Sequence, residues 1–152
     1  MMMPNIKELF LDTNILIYYT NPQLPQHPLA VQAVDTAYQS GIELLVSPQV
    51  LREYLAANTK FIKNNTQLTY DKIRTNFETF LNQFRVLDDN RQVLNTLNDL
   101  LKTVTVAGRH IYDANLVATM QNYGIQHLLT NNPADFTVFS SIITVLPLSP
   151  TP

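Results

Sequence analysis

The 152-residue chain contains no cysteine and only three glycines, Gly41, Gly108 and Gly124. Without cysteine there is no disulfide framework, no thiol nucleophile and no zinc–thiolate centre, which fits a reducing compartment. Three scattered glycines cannot form a phosphate-cradling loop or a dinucleotide fingerprint. The histidines, His27, His110 and His127, are not paired at metal-ligand spacing, and no G-x-S-x-G elbow presents a serine. No apolar run approaches membrane-spanning length, and the stretch from Met1 to Glu8 lacks the basic segment of a signal peptide. A soluble cytoplasmic protein without membrane contact is expected.

Apolar residues make up 45% of the chain, enough for one globular domain with its own core. The net charge of −2 argues against a general nucleic-acid binder, which usually carries a basic excess. Five of the ten basic residues (Arg52, Lys60, Lys63, Lys72, Arg74) nevertheless fall between positions 52 and 74, opposed there only by Glu53 and Asp71. That concentration is either a local basic face or an ordinary solvated helical surface.

Glu8-Leu9-Phe10-Leu11-Asp12-Thr13-Asn14 has the pattern of a buried parallel strand, apolar without alternation, ending in polar residues. A short helix follows over Ile15 to Tyr19 and stops among the three prolines between Asn21 and Pro28. A helix from Leu29 to Ser40 is closed by Gly41, and Glu43 to Val46 forms a second strand. Ser47-Pro48 marks the start of a helix running to about Asn58, and Lys60 to Thr69 is a polar loop.

From Tyr70 a long helix carries Ile73, Phe77, Phe80, Leu81 and Phe84 on a core stripe. Arg85 to Leu87 is a short strand. Asp88-Asp89 starts a helix with Val93, Leu94, Leu97, Leu100, Leu101 and Val104 on one face. After a connection over Gly108 to Tyr112, Asp113 opens a helix that ends near Gly124. His127 to Thr130 is a strand, Asn131 to Phe136 a polar turn, and Ile142 to Val145 the last strand. The end from Pro147 is proline-rich. The reading is one α/β domain over 5–148, with a mostly parallel central sheet flanked by helices, and a loose tail at 149–152.

Acids are the remaining candidates for chemistry. Asp12 lies at the carboxyl end of a strand, where open α/β sheets keep their functional crevice, although capping of the next helix also explains it. Asp113 has Leu116, Val117 and Met120 on its own helical face, and a core-facing acid must be paired, hydrogen-bonded or metal-bound. At the first turn, capping again accounts for part of its placement. Glu53 borders the stripe of Val50, Tyr54 and Ala57 and reads equally as a boundary glutamate. Carboxylates gathered at one sheet edge repel one another unless a counter-charge is present. Mg²⁺ or Mn²⁺, which prefer oxygen ligands and retain waters, would supply it.

Four pieces of the sequence resemble the PIN-domain ribonucleases, and among them the VapC-type toxins of toxin–antitoxin pairs. They are Phe10 to Asn14, Ser47 to Tyr54, Gly108 to Ala118, and Leu128 to Phe136, and the resemblance spans Leu9 to Pro147. It implies a metal-dependent endoribonuclease acting on RNA, with Asp12, Glu53 and Asp113 as the family's three acids, both catalytic and metal-binding. Thr13, Asn14 and Thr130 would support them. A fourth acid common in the family is replaced by Asn132, so that Asn132 or the nearby Asp135 would complete the metal site. Arg52, Lys60, Lys63 and Arg109 are the candidates for RNA contact. The resemblance also implies a homodimer and a cognate antitoxin, for which Ile73, Phe77, Phe80 and Phe84 would form either a docking groove or plain core.

Two other readings compete. A haloacid-dehalogenase-like phosphatase also begins with a strand ending in aspartate, but its chemistry needs Asp-x-Asp, and Asn14 stands at the second position. A PIN fold kept as an RNA- or protein-binding module would not require the three acids.

Overall fold

The computed structural model describes residues 5–62 and 67–149. Lys63, one of the candidate RNA contacts, and the last three positions of the expected tail lie outside the described residues. Five parallel strands form one sheet in the order β3-β2-β1-β4-β5. They are β1 (Glu8–Leu11), β2 (Glu43–Val46), β3 (Arg85–Val86), β4 (His127–Thr130) and β5 (Thr144–Pro147). The helices are α1 (Thr13–Thr20), α2 (His27–Gln39), α3 (Pro48–Phe61), α4 (Tyr70–Gln83), α5 (Arg91–Leu100) and α6 (His110–Asn122). A 3-10 helix over Pro133–Phe139 joins β4 to β5.

The centre of the sheet is β1, whose Leu9, Phe10 and Leu11 are all fully buried. Each contributes roughly 1.5–3 kcal/mol by leaving water, and their run without alternation reflects cover on both faces. The chain turns to β2 on one side of β1 and to β4 on the other, so the carboxyl edge at Asp12 is the topological switch point. Ser47 begins α3 as expected, its Oγ accepting from Val50 N at 3.4 Å. Gly41 and Gly124 close α2 and α6 at φ 77° and 71°, a conformation that disfavours any residue with a Cβ.

Several expectations are corrected. Helix α3 continues to Phe61, so Lys60 sits in its last turn rather than in a loop. Asn90, not the Asp88-Asp89 pair, caps α5, because its Oδ1 accepts from Gln92 N and Val93 N. The last strand begins at Thr144, since the amides of Ile142 and Ile143 are taken by Phe139 O, closing the 3-10 helix. Pro147 belongs to that strand and Leu148 is buried, so the chain from Pro147 to Leu148 is packed rather than loose. Within the α4 stripe, Ile73, Phe80 and Phe84 are buried and Phe77 packs against them, whereas Leu81 is 45% exposed. The Phe80 ring stands edge-on to Tyr54 at 5.1 Å and stacks on Phe84 at 5.4 Å, so the stripe is core. On α5, Val93 and Leu100 are buried, but Leu94 is 57% exposed and Leu101 also faces solvent.

Candidate active site

At the carboxyl edge, Asp12 follows β1, Thr130 ends β4, and α3 brings Glu53 back across the end of β2. Asp12 does cap α1, its Oδ1 accepting from Thr13 N at 2.8 Å. Its other oxygen, Oδ2, accepts from Thr130 Oγ1 at 2.7 Å and from Asn14 Nδ2 at 3.3 Å. The Thr130 hydroxyl is saturated: besides donating to Asp12 it accepts from Asn132 N at 3.0 Å and from Asn14 Nδ2 at 3.5 Å. Asn14 Oδ1 in turn accepts from Asn131 N at 3.2 Å, tying α1 to the end of β4. Asp12 therefore caps α1 with one oxygen and is held by Thr130 and Asn14 at the other.

Glu53 joins Asp12 through Thr13. The Thr13 hydroxyl donates to Glu53 Oε2 at 2.8 Å, while Gln49 Nε2 donates to Glu53 Oε1 at 3.0 Å. A boundary glutamate has no need of two aimed donors. Asp113 does not cap α6, which starts three residues earlier at His110 and has no side-chain cap. Its Oδ2 instead accepts from His110 Nδ1 at 3.0 Å, and among the described residues no hydrogen bond reaches Oδ1. Capping therefore does not account for Asp113.

The carboxylates influence one another. Burial pushes Asp12 from an ordinary 3.8 up to about 6; Asp113 and Glu53 push the same way, against the hydrogen bonds from Thr130 and Thr13. Burial likewise raises Asp113, with Asp135 and Glu53 adding to it and the His110 hydrogen bond opposing. Asp135, in the first turn of the 3-10 helix, thus lies within electrostatic reach of Asp113. Asn132 is exposed, its side chain makes no capping bond, and its backbone N–H is spent on Thr130. Arg52, Lys60 and Arg109 are exposed and form no ion pair among the described residues, with Arg52 one residue before Glu53 and Lys60 in the last turn of α3. The basic concentration is divided: Lys72 and Arg74 sit on α4, where Arg74 pairs with Glu78 at 3.3 Å.

Four acids that offer only oxygen donors suit a hard divalent ion in chemistry. As the side chains stand, no three of the described Asp, Glu and His residues surround a single point closely enough to hold one. Sequence reading missed His110, Gln49 and Asn115. The first two carry a helical signal, since His110 precedes Asp113 by three positions and Gln49 precedes Glu53 by four, spacings that bring side chains together. Asn115 donates to Gln49 Oε1 at 2.8 Å and has no such signal.

The sequence model of the PIN domain matches residues 9–139 of this chain. Ribonuclease VapC24 of Mycobacterium tuberculosis is 29% identical over 137 residues, covering 86% of this chain and 90% of that protein. A toxin–antitoxin complex from Klebsiella pneumoniae superposes with TM-score 0.67 at 20% identity, covering 94% of this chain and 99% of that one. VapC20 of Mycobacterium tuberculosis, a toxin that cleaves the sarcin–ricin loop, superposes with TM-score 0.62 at 17% identity, covering 90% and 96%.

Proposed function

This chain belongs to the PIN-domain family, and from that membership we propose that it is a divalent-metal-dependent endoribonuclease, the toxin of a toxin–antitoxin pair. The observation that carries the reading is the double grip of Thr13, which holds Asp12 by its amide and Glu53 by its hydroxyl. Two buried-edge carboxylates gripped side by side, with Asp113 adding its repulsion, are costly in the absence of a cation. A folded domain keeps such a group for binding or catalysis more readily than for stability.

Asp12, Glu53 and Asp113 would hold Mg²⁺ or Mn²⁺, with Asp135 favoured over Asn132 as the fourth member because it brings a charge that Asp113 feels. Bound there, such an ion would polarise the phosphate and lower the pKa of water. The chain's own residues do the positioning. Thr13 and Gln49 fix the two Glu53 oxygens, Thr130 and Asn14 fix Asp12, and His110 fixes one Asp113 oxygen. Arg52, Lys60 and Arg109 would draw the RNA backbone to this edge. Hydrolysis joins the water oxygen to phosphorus, breaks one P–O bond and leaves a proton on the departing oxygen.

A cognate antitoxin is the partner favoured by the likeness to the Klebsiella toxin–antitoxin complex and to VapC24. A homodimer follows from the family resemblance. Among the described residues no helix is long and apolar enough to cross a membrane; a cytoplasmic location is part of the toxin reading.

The test is cleavage of a defined RNA by the purified chain with Mn²⁺ or Mg²⁺, with chelator and with Glu53→Gln. Cleavage that needs the ion and Glu53 supports the reading. RNA that is bound but left intact with both ions would replace it with the binding-module reading.

A further inference from the structure

Gln49, on the second position of α3, reaches two elements at once. Its Nε2 donates to Glu53 Oε1 at 3.0 Å and to Tyr112 O, the carbonyl preceding Asp113, at 3.1 Å. Its Oε1 accepts from Asn115 Nδ2, two residues after Asp113, at 2.8 Å. Asn115 spends its second N–H on Asp89 Oδ2 at 3.1 Å. These bonds fix both amide orientations. Turned over, Gln49 would set oxygen against the Glu53 carboxylate and the Tyr112 carbonyl. Asn115 turned over would set oxygen against Gln49 Oε1 and Asp89.

We propose that Gln49 is a positioning residue that sets the separation of the Glu53 and Asp113 carboxylates. It clamps the helical turn carrying Asp113 at the residue before it and the residue two after it, and holds Glu53 by the same side chain. No other described side chain hydrogen-bonds both to Glu53 and to the first turn of α6. Tyr112 O lies in the first turn, so Gln49 uses a carbonyl of the segment it aligns. Glu53 Oε2 is already held by Thr13, so the Gln49 bond fixes the rotation of a carboxylate anchored at its other oxygen. Asn115, itself tied to Asp89, keeps the Gln49 amide turned the right way. Neither Gln49 nor Asn115 is charged, so both act by geometry. Outer partners that orient ligating carboxylates typically change metal affinity by about 10- to 100-fold.

The inference rests on the metal-dependent reading above, and the test separates the two. Mn²⁺ alone is titrated calorimetrically into metal-free wild type, Gln49→Met, Glu53→Gln and the double variant. Met keeps the length of the side chain and removes both polar ends. The expected result is a loss of about tenfold or more in Mn²⁺ affinity for Gln49→Met, shrinking below about threefold when Glu53 is already Gln. Equal affinity in wild type and Gln49→Met, or an equal cost in both backgrounds, overturns the proposal and leaves the metal reading standing. Absence of Mn²⁺ binding in wild type overturns both. Were Gln49→Met not to fold, Asn115→Asp carries the test. Its added negative charge would tighten Mn²⁺ by Coulomb attraction alone, whereas loss of the donor to Gln49 Oε1 weakens it; tightening therefore overturns the clamp.

Discussion

Thr13 Oγ1 donates to Glu53 Oε2 at 2.8 Å, bridging the first turn of α1 to the middle of α3. The same residue donates its backbone N–H to Asp12 Oδ1, also at 2.8 Å, and is itself buried. One threonine therefore spaces two carboxylates. A hydroxyl buried against an ionised acid leaves that acid unsatisfied when removed, which makes the bridge testable.

Thr13→Val keeps the shape and removes the donor. A hydrogen bond to a charged group contributes about 1.5–3 kcal/mol, so RNA cleavage should fall by about tenfold or more. Thr13→Ser, which restores the hydroxyl, should recover most of it. Cleavage rates for the three proteins at saturating Mn²⁺ provide the check, and a Thr13→Val variant as fast as wild type would remove Thr13 from the site.

Much of this arrangement is legible in the sequence. The unbroken apolar run Leu9 to Leu11 and the Ser47-Pro48 start carry strong local signals, and they place Asp12 and Glu53. The start of α6 does not. Arg109 is no capping residue, and Gly108 at φ 59° turns the chain so that Ile111 N and Tyr112 N bond back to Gly108 O and Arg109 O. The helix thus begins ahead of Asp113 on tertiary and turn geometry. The Gln49–Asn115 link was invisible for a different reason: its partners are 66 positions apart, and neutral amides announce nothing by composition. Leu81 and Leu94 fit the apolar period yet face solvent, because period alone does not say how wide the covered stripe is.

The fourth member of the site separates cleanly. Asp135→Asn removes a charge that Asp113 feels, whereas Asn132→Ala removes an exposed side chain while keeping the backbone N–H that Thr130 uses. Mn²⁺ affinity and cleavage should drop in Asp135→Asn and stay near wild type in Asn132→Ala. The reverse pattern, read by calorimetry and RNA cleavage, would return Asn132 to the site.

Metal should stabilise the fold. The mutual repulsion of Asp12, Glu53 and Asp113 is relieved when an ion binds the native arrangement. At a free Mn²⁺ concentration one hundred times the dissociation constant, linkage contributes about 2.7 kcal/mol. For a domain of this size that is on the order of 5–10 °C in melting temperature. Melting curves that coincide in millimolar Mn²⁺ and in chelator would count against a metal site.

Asp12→Asn tests whether the residue after β1 exists for capping or for chemistry. Asn caps about as well as Asp, so a capping residue tolerates the change. In metal-free protein the Asp12 carboxyl titrates near 3.8 when unfolded and is raised to about 6 when folded. Between those values the folded chain holds a proton that the unfolded chain has released, so this group destabilises the fold progressively as pH rises through the window. Below it, both states are protonated and the difference vanishes; above it, the cost levels off at about 3 kcal/mol. The Asn variant lacks that cost. Its melting temperature relative to wild type should therefore climb between about pH 4 and pH 6 and hold its advantage at pH 7, with chelator present throughout. RNA cleavage with Mn²⁺ at neutral pH should disappear in the same protein, because the charge that attracts the ion is gone. Cleavage retained in Asp12→Asn would sink the nuclease mechanism, and a melting difference flat across that window would show that Asp12 is not held against its own ionisation.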